Sequence, residues 1–531
     1  MDGNLGAVPG RELPPLPVHL DECVAIDLQD RRLYVEARRR TDPLLMTWLD
    51  RCRQRGVKFE TVAADLDKIV EYRREGFMPA RRTQASGDDA ALENREAAMA
   101  MLARAAKLRA SDIHILLRGE HTEVQFRIKG ELRVSDRLNQ DEGEAIVRAF
   151  YQGIAVVKDA SFQPLQTQNA QISGPIVREF GLSSVRIVRG PAYPVEDGGG
   201  FMVLRLQYLD TATARQSGVS HGALPYPRKP AGELRLEKMG YLPAQAEKLR
   251  FLLEGSSGIV LFTGPTGSGK TTTIFEMQSE AARISPMQRL VAIEKPVEYP
   301  MSWAIQLSIT GDGATADEGD EFGGYLRHAL RMDPDWIFVG EIRSAGVALT
   351  AFEASLTGHK VVSTVHTEDP FSVPDRIEIM DAKRLPRRMF CNSKMIRGIV
   401  NQRLVPQLCP HCAVSLRDAD EEVLWPRLNE VLKTYGDLSE VKVRGVGCEH
   451  CGHVGIGQRI AIAEVIVTDT DLMRDFVEHN ADVARRNYRK RRDADKSVLR
   501  TAMDGVLAGR IDPRDVGRYV DVVVSAERVN E

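Results

Sequence analysis

Gly264-Pro265-Thr266-Gly267-Ser268-Gly269-Lys270-Thr271-Thr272 decides the fold of this chain. The stretch fits the phosphate-binding pattern G-x-x-x-x-G-K-[ST] at every fixed position. Upstream, Gly258 to Thr263 (GIVLFT) is short and apolar, as a buried parallel strand is. Downstream, Thr272 to Met277 can open a helix. Strand, glycine loop and helix together give the motif its meaning. Glycines let backbone N–H groups curl around a β-phosphate, and the helix N-terminus adds partial positive charge. In that setting Lys270 reaches the β- and γ-phosphates and Thr271 holds Mg²⁺ through its hydroxyl. An α/β core that binds ATP with Mg²⁺ is therefore expected.

Two acidic strand ends follow. Val291-Ala292-Ile293-Glu294-Lys295-Pro296-Val297-Glu298 is the first. Asp333-Pro334-Asp335-Trp336-Ile337-Phe338-Val339-Gly340-Glu341 is the second, an apolar run that delivers a carboxylate. Nucleotides bind at the C-terminal edge of open parallel sheets, where such acids emerge. Each acid read alone is equally an ordinary exposed strand end. Next comes Leu356-Thr357-Gly358-His359, then an apolar strand, then His366 at its end. Two histidines bracketing a strand, behind two acidic strand ends, suggest a γ-phosphate sensor.

The bulk composition narrows the field. The chain has 531 residues, enough for two to four domains. Hydrophobic residues make up 43% and charged residues 28%, the balance of an ordinary globular protein. A formal net charge of −3 gives no global attraction to nucleic acid or anionic membrane. No apolar run approaches the roughly 20 residues of a spanning helix, and residues 1–20 lack the pattern of a signal peptide. Membrane contact is thus expected through a protein partner.

There are seven cysteines. Three are isolated, and four form Cys409-Pro410-His411-Cys412 and Cys448-Glu449-His450-Cys451 with 35 residues between the pairs. Two C-x-x-C pairs favour a metal over a disulfide framework. Four thiolates complete a Zn²⁺ tetrahedron and leave no open position, so the site is expected to be structural. His411, His450 and His453 are alternative ligands. The long interval predicts a small helical insertion over about 414–440.

Along the chain, residues 1–85 are proline-rich, then arginine-rich and helical in character, and read as a docking region with no fold assignable. Arg31, Arg32, Arg38, Arg39 and Arg40 read as a solvated face. An alanine-rich helix is expected from Asp88 to Leu108. Strands follow at 111–115, at 124–128 (alternating Val124, Phe126 and Ile128), at 185–188 and at 202–206. Lys129-Gly130 is expected to turn the second, and Gly198-Gly199-Gly200 falls between the last two. This is an α+β domain, 86–212. Residues 213–232, rich in Gly, Pro, Ser and Ala, read as a linker. From 233 to 531 strands and helices alternate around the phosphate loop, with a zinc subdomain at 405–455 and a charged helical part at 468–531.

At this point the chain resembles the secretion ATPases of the type II secretion and type IV pilus assembly superfamily. Four blocks stand in that family's order: GPTGSGKTTT, IEKPVEY, LRMDPDWIFVGEIR and LTGHKVVSTVHTED. SDIHI and VQFRIKG resemble the preceding domain, and NQRLVPQLC and LRTAMDGVLAGRIDPRDV the C-terminal portion. The resemblance covers residues 90–520. It implies a RecA-like core preceded by an α+β (PAS-like) domain and working as a homo-hexamer. It implies Glu298 as the general base, Glu341 as the acid that holds Mg²⁺ through water, and His366 as the γ-phosphate sensor. Arg186, Arg205, Arg327 and Arg331 fall where the family places arginines supplied across subunits. Such a residue is worth about 10³–10⁵ in rate; as surface ion pairs they would contribute little.

The four-cysteine insertion is typical of the assembly and secretion motors rather than of retraction motors or DNA-transfer ATPases. The resemblance thus implies ATP hydrolysis that drives pilus or pseudopilus assembly through an inner-membrane platform protein, at the inner face of the bacterial cytoplasmic membrane. No direct nucleic-acid partner is expected. One departure stands out. Lys295 occupies a position where the family usually has an acid, a change of two charges. It keeps open a scaffold that binds ATP with weak hydrolysis, beside the alternative of a DNA-transfer ATPase. The interval from Arg186 to Arg205 is also longer than usual.

Overall fold

The computed structural model describes residues 20, 23–27, 30–40, 42–54, 57–65, 68–69, 72, 87–209, 224–309, 318–419 and 426–528. They divide into two compact units. The first takes the chain up to Leu224, apart from residues 130–133 and 191–193, which group with the second. Of the 213–232 segment, residues 213–223 lie outside the described residues.

The first unit begins in the region expected to be helical, and what forms there is a small sheet with one helix packed into its connection. Strands β1 (Val24–Asp27), β2 (Arg32–Glu36) and β3 (Glu60–Ala64) form a sheet in that order, β1 antiparallel and β3 parallel to β2. A parallel pair needs a crossover, and helix Pro43–Gln54 supplies it. Trp48 is buried and stacks on Phe59 with ring centroids 5.7 Å apart.

Helix Gly87–Lys107 follows, then β4 (Asp112–Leu117), β5 (His121–Ile128), β6 (Glu131–Asn139), β7 (Val157–Lys158), β8 (Gln168–Ser173), β9 (Leu182–Pro191) and β10 (Gly200–Tyr208). Their order in the sheet is β6-β5-β4-β10-β9-β8-β7. The alanine-rich helix buries Ala98, Leu102 and Ala105 in the same core as Ile113, Val124 and Phe126. The alternation read at Val124, Phe126 and Ile128 marks the strand correctly, but Gln125 and Arg127 between them are also buried. Lys129 (φ 54°) and Gly130 (φ 86°) make the left-handed turn between β5 and β6. The glycine triplet lies at the entry to β10, with Gly198 at φ 76°.

The second unit is built on β11 (Gly258–Thr263), β12 (Leu290–Glu294), β13 (Ala304–Ser308), β14 (Trp336–Val339), β15 (Lys360–Val365) and β16 (Ile396–Leu408). Two short strands, β17 (Val414–Ser415) and β18 (Lys442–Val443), pair separately, and β19 (Ile456–Val467) closes the main sheet. The order is β13-β12-β14-β15-β11-β16-β19; the first six are parallel and β19 runs antiparallel to β16. This is the RecA-like arrangement: β15 separates the strand before the phosphate loop from the acidic strand β14. β11, β12, β14 and β15 are buried along their whole length, which explains their continuous apolar runs.

Because all six strands point the same way, their C-terminal ends gather the motif residues on one edge. The 13-residue β16 runs past that edge and, with β19, carries the tetracysteine segment beyond it. Helices Thr470–Glu478, Ala481–Arg489, Val498–Leu507 and Pro513–Tyr519 complete the unit. The expected insertion between the cysteine pairs holds a described α-helix, Pro426–Lys433, and a 3₁₀ turn, Leu416–Asp418, besides β17 and β18.

Candidate functional site

The phosphate loop leaves β11 and enters helix Lys270–Ile284 through Gly269, whose φ is 82°. Gly264 sits at φ 128°, and a Cβ there would lie 2.3 Å from the carbonyl oxygen of Gln402. Only glycine fits that turn. Gly267 has φ 77°, and Pro265, Thr266 and Gly267 are exposed, while Ser268 is buried. The Lys270 ammonium is buried and donates to the carbonyls of Gly264 at 3.0 Å and Pro265 at 2.9 Å. Burial and the neighbouring Arg403 lower its pKa, and the charges of Glu341 and Glu298 oppose that shift. Thr271 is half-buried at the helix start. The hydroxyl of Thr272 lies 2.9 Å from that of Tyr299.

Glu341 follows β14 and is mostly covered. Its Oε2 lies 2.6 Å from Arg343 Nε and 3.3 Å from His366 Nε2. His366, at the end of β15, is 42% exposed, open enough to meet a ligand. His359 does something else. It stands at the opposite end of β15, its Nδ1 3.1 Å from both Thr357 Oγ1 and the Ala354 carbonyl at a helix C-terminus. The two bracketing histidines therefore do not form one sensor.

Glu298 is exposed on the loop after β12, and so is Lys295. The loop is held by a residue that motif reading missed. Gln306 on β13 donates from Nε2 to Glu294 Oε1 at 2.9 Å and to the Tyr299 carbonyl at 2.9 Å, and its Oε1 accepts from the Met301 amide at 2.7 Å. The backbone N–H of Glu298 donates to the same Glu294 carboxylate. Burial pushes Glu294 up to about 7 despite those hydrogen bonds.

A second missed group underlies the phosphate loop. Asn401-Gln402-Arg403 is buried on β16. Gln402 Nε2 donates to the Ser268 carbonyl at 2.7 Å, and its Oε1 accepts from Tyr241 at 2.5 Å and Thr273 at 3.0 Å. Asn401 Nδ2 donates to Thr263 Oγ1 at 2.8 Å. The available signal was three consecutive polar residues between the apolar pairs Ile399-Val400 and Leu404-Val405, since buried polar groups are kept only when hydrogen-bonded.

The four arginines fall into two pairs. Arg186 on β9 and Arg205 on β10 belong to the first unit, both exposed; Arg205 Nε lies 2.9 Å from buried Asp112 Oδ1. Arg327, in the last turn of helix Glu318–Ala329, and Arg331 belong to the second and are also exposed.

The sulfurs of Cys409, Cys412, Cys448 and Cys451 all lie within 4.8 Å of one another. Cys409–Cys448, Cys412–Cys451 and Cys448–Cys451 are each 3.8 Å apart. Tetrahedral Zn–S bonds of about 2.3 Å demand sulfur spacings of about 3.8 Å. Amide N–H groups of Cys448 and Gly455 donate to Cys451 at 3.2 Å each. Led by the Cys448 amide, such bonds hold the Cys451 thiol down to about 6, while burial and the other three thiols push Cys412 up to about 12. The donor set and spacing fit Zn²⁺. His411 and His450 are not part of the cluster; their exposed rings stack with centroids 4.0 Å apart. His453 is likewise exposed and outside it.

Against known proteins, residues 223–518 match the family model described as type II/IV secretion system protein. A putative type II secretion system protein E of Escherichia coli is 30% identical over 470 residues, 88% of this chain and 85% of that protein. The type II secretion system protein E of Aeromonas hydrophila is 31% identical, covering 79% of this chain and 74% of that one. The type IV pilus assembly ATPase PilB of Thermus thermophilus is 30% identical over 76% of this chain, which spans 41% of that longer protein. Among solved structures, the pilus retraction motor PilT with bound ADP matches at 21% identity and a TM-score of 0.33, over 76% of this chain and 95% of that one. At that score the fold assignment rests on the strand order above.

Proposed function

The chain belongs to the type II/IV secretion system protein family, and we propose that it works there as a hexameric ATPase driving assembly of a type IV pilus or a type II secretion pseudopilus. The observation that carries this reading is the convergence on one sheet edge of Lys270, Glu341, Glu298 and His366, with His366 3.3 Å from Glu341. In this reading the loop amides and the start of helix Lys270–Ile284 cradle the phosphates. Lys270 leaves the Gly264 and Pro265 carbonyls for the β- and γ-phosphates. Thr271, and Glu341 through water, would hold Mg²⁺, which would supply charge neutralisation for the phosphates. Glu298 orients the attacking water and accepts its proton, and His366 hydrogen-bonds the γ-phosphate. ATP and water then become ADP and phosphate.

Lys295 does not favour the scaffold alternative, because it is solvent-exposed and its charge is screened there. The tetracysteine cluster supports an assembly or secretion motor over a retraction motor. We assign Arg186, Arg205, Arg327 and Arg331 to contacts across neighbouring subunits. Among the described residues no helix is long and apolar enough to cross a membrane. The reading therefore places the ring at the inner face of the cytoplasmic membrane through a platform protein.

The test is specific activity against protein concentration, with mass measured in the same samples. A shared site predicts hydrolysis that rises together with a hexamer peak. Full activity in a monomer would overturn the ring reading.

A further inference from the structure

The four helices after β19 have no part in the chemistry above, yet one of them reaches the segment that carries His366. His366 is followed by Thr367-Glu368-Asp369 and a 3₁₀ turn, Pro370–Ser372. This segment is pinned from two sides. On one side, the Glu368 carbonyl accepts from Asn401 Nδ2 at 2.9 Å and from Arg403 at 2.9 Å. The same two residues also reach the base of the phosphate loop. Asn401 bonds Thr263, and an Arg403 nitrogen donates to the Gln402 carbonyl, against which Gly264 turns.

On the other side stands Arg485, on helix Ala481–Arg489. Its guanidinium pairs with Asp369 Oδ2 and also lies 2.9 Å from Asp482. Asp369 Oδ1 accepts from the Phe371 amide, so the same carboxylate shapes the turn. Phe371 is fully buried, 5.6 Å from the Tyr488 ring of that helix and beneath the guanidinium groups of Arg485 and Arg489. The Arg485 side chain is only 21% exposed, so its bond to Asp369 is shielded from competing water.

We infer that Arg485, through Asp369, is a positioning residue for His366: the C-terminal helical part sets where the imidazole stands relative to Glu341. A charge-assisted bond in a partly buried setting is directional enough to do this, and an ångström of drift at a γ-phosphate contact matters. The inference rests on the reading of His366 as the γ-phosphate contact and extends it to a residue that never touches nucleotide.

The experiment compares the affinities of a non-hydrolysable ATP analogue and ADP in the full chain, for wild type, His366→Ala, Arg485→Ala, Arg485→Lys and the double variant His366→Ala/Arg485→Ala. The ratio of the two affinities is the readout. It is expected to fall about tenfold in His366→Ala and nearly as far in Arg485→Ala, with no further fall in the double variant, because residues acting as one unit are not additive. ADP affinity and melting temperature are expected to stay close to wild type in Arg485→Ala, with partial recovery of the ratio in Arg485→Lys. A ratio unchanged in Arg485→Ala but lowered in His366→Ala would overturn the inference while sparing the site. A ratio unchanged in His366→Ala would overturn the reading of the site itself. If ADP affinity and melting temperature fall with the ratio in Arg485→Ala and Lys restores none of them, Arg485 supports the fold and not His366 in particular, and the inference fails.

Discussion

Glu294 shows how one buried side chain joins fold to chemistry. It ends β12 out of reach of solvent, accepts from Gln306 and from the amide of Glu298, and is pushed up to about 7 by burial. The sign of its pH effect follows. A carboxyl whose folded pKa lies above its unfolded value of about 4.5 binds more protons in the native state between those two values. Its stabilising contribution is complete below the unfolded pKa and is lost as pH rises through the folded one. Thermal melting of Glu294→Gln is therefore expected to be flatter than wild type between pH 5 and pH 7 (about the window set by the two pKa values), with the variant gaining on wild type toward pH 8. Equal slopes would show that Glu294 does not titrate there. Single residues also mark the limit of reading motifs. That Lys270, Glu341 and His366 stand on one sheet edge was legible, because each comes shortly after an apolar run that reads as a buried strand. Gln306 and Gln402 were not, since glutamine carries no signature until its neighbours in space are known. His359 was misleading for the same reason: bracketing a strand in sequence puts two residues at opposite ends of it.

Among elements, the β16–β19 ribbon is the one whose length does most. It starts beside the N-terminal end of β11, passes the phosphate loop at Asn401–Arg403 and ends just before Cys409. The cysteine cluster then holds the turn on which that segment closes. Structural zinc in such sites contributes on the order of 10–16 kcal/mol of binding free energy to local folding. Cys409→Ser is expected to lose the metal, counted by elemental analysis as one zinc per wild-type chain and far less than one in the variant. Limited proteolysis should then cut within 410–455 while the rest of the unit survives. A variant that keeps its metal and its protease resistance would point to three ligands sufficing. Buried strands and the long alanine-rich helix were readable because apolar runs follow directly from burial; the alternation at 124–128 marked a strand although both of its faces are buried. The sheet at residues 24–64 was not readable. Its strands are only four or five residues long, and the arginines between them masked the pattern.

At the scale of the whole molecule, the account makes this chain an ATP-driven motor whose chemistry is gathered on one edge of a six-strand parallel sheet. Its near-neutral charge gives no general pull toward nucleic acid. Partners are the least legible level, because a docking face has no fixed spacing to search for, whereas a phosphate loop does. The central claim is that Glu298 activates water at a site where Lys270 holds the phosphates. Steady-state Mg-ATP hydrolysis by wild type and Glu298→Gln, with ATP binding measured on both, tests it most directly. The account predicts that Glu298→Gln binds ATP as tightly as wild type while turnover drops by about 10²-fold or more, the scale of a lost general base. Wild-type turnover in Glu298→Gln would contradict it.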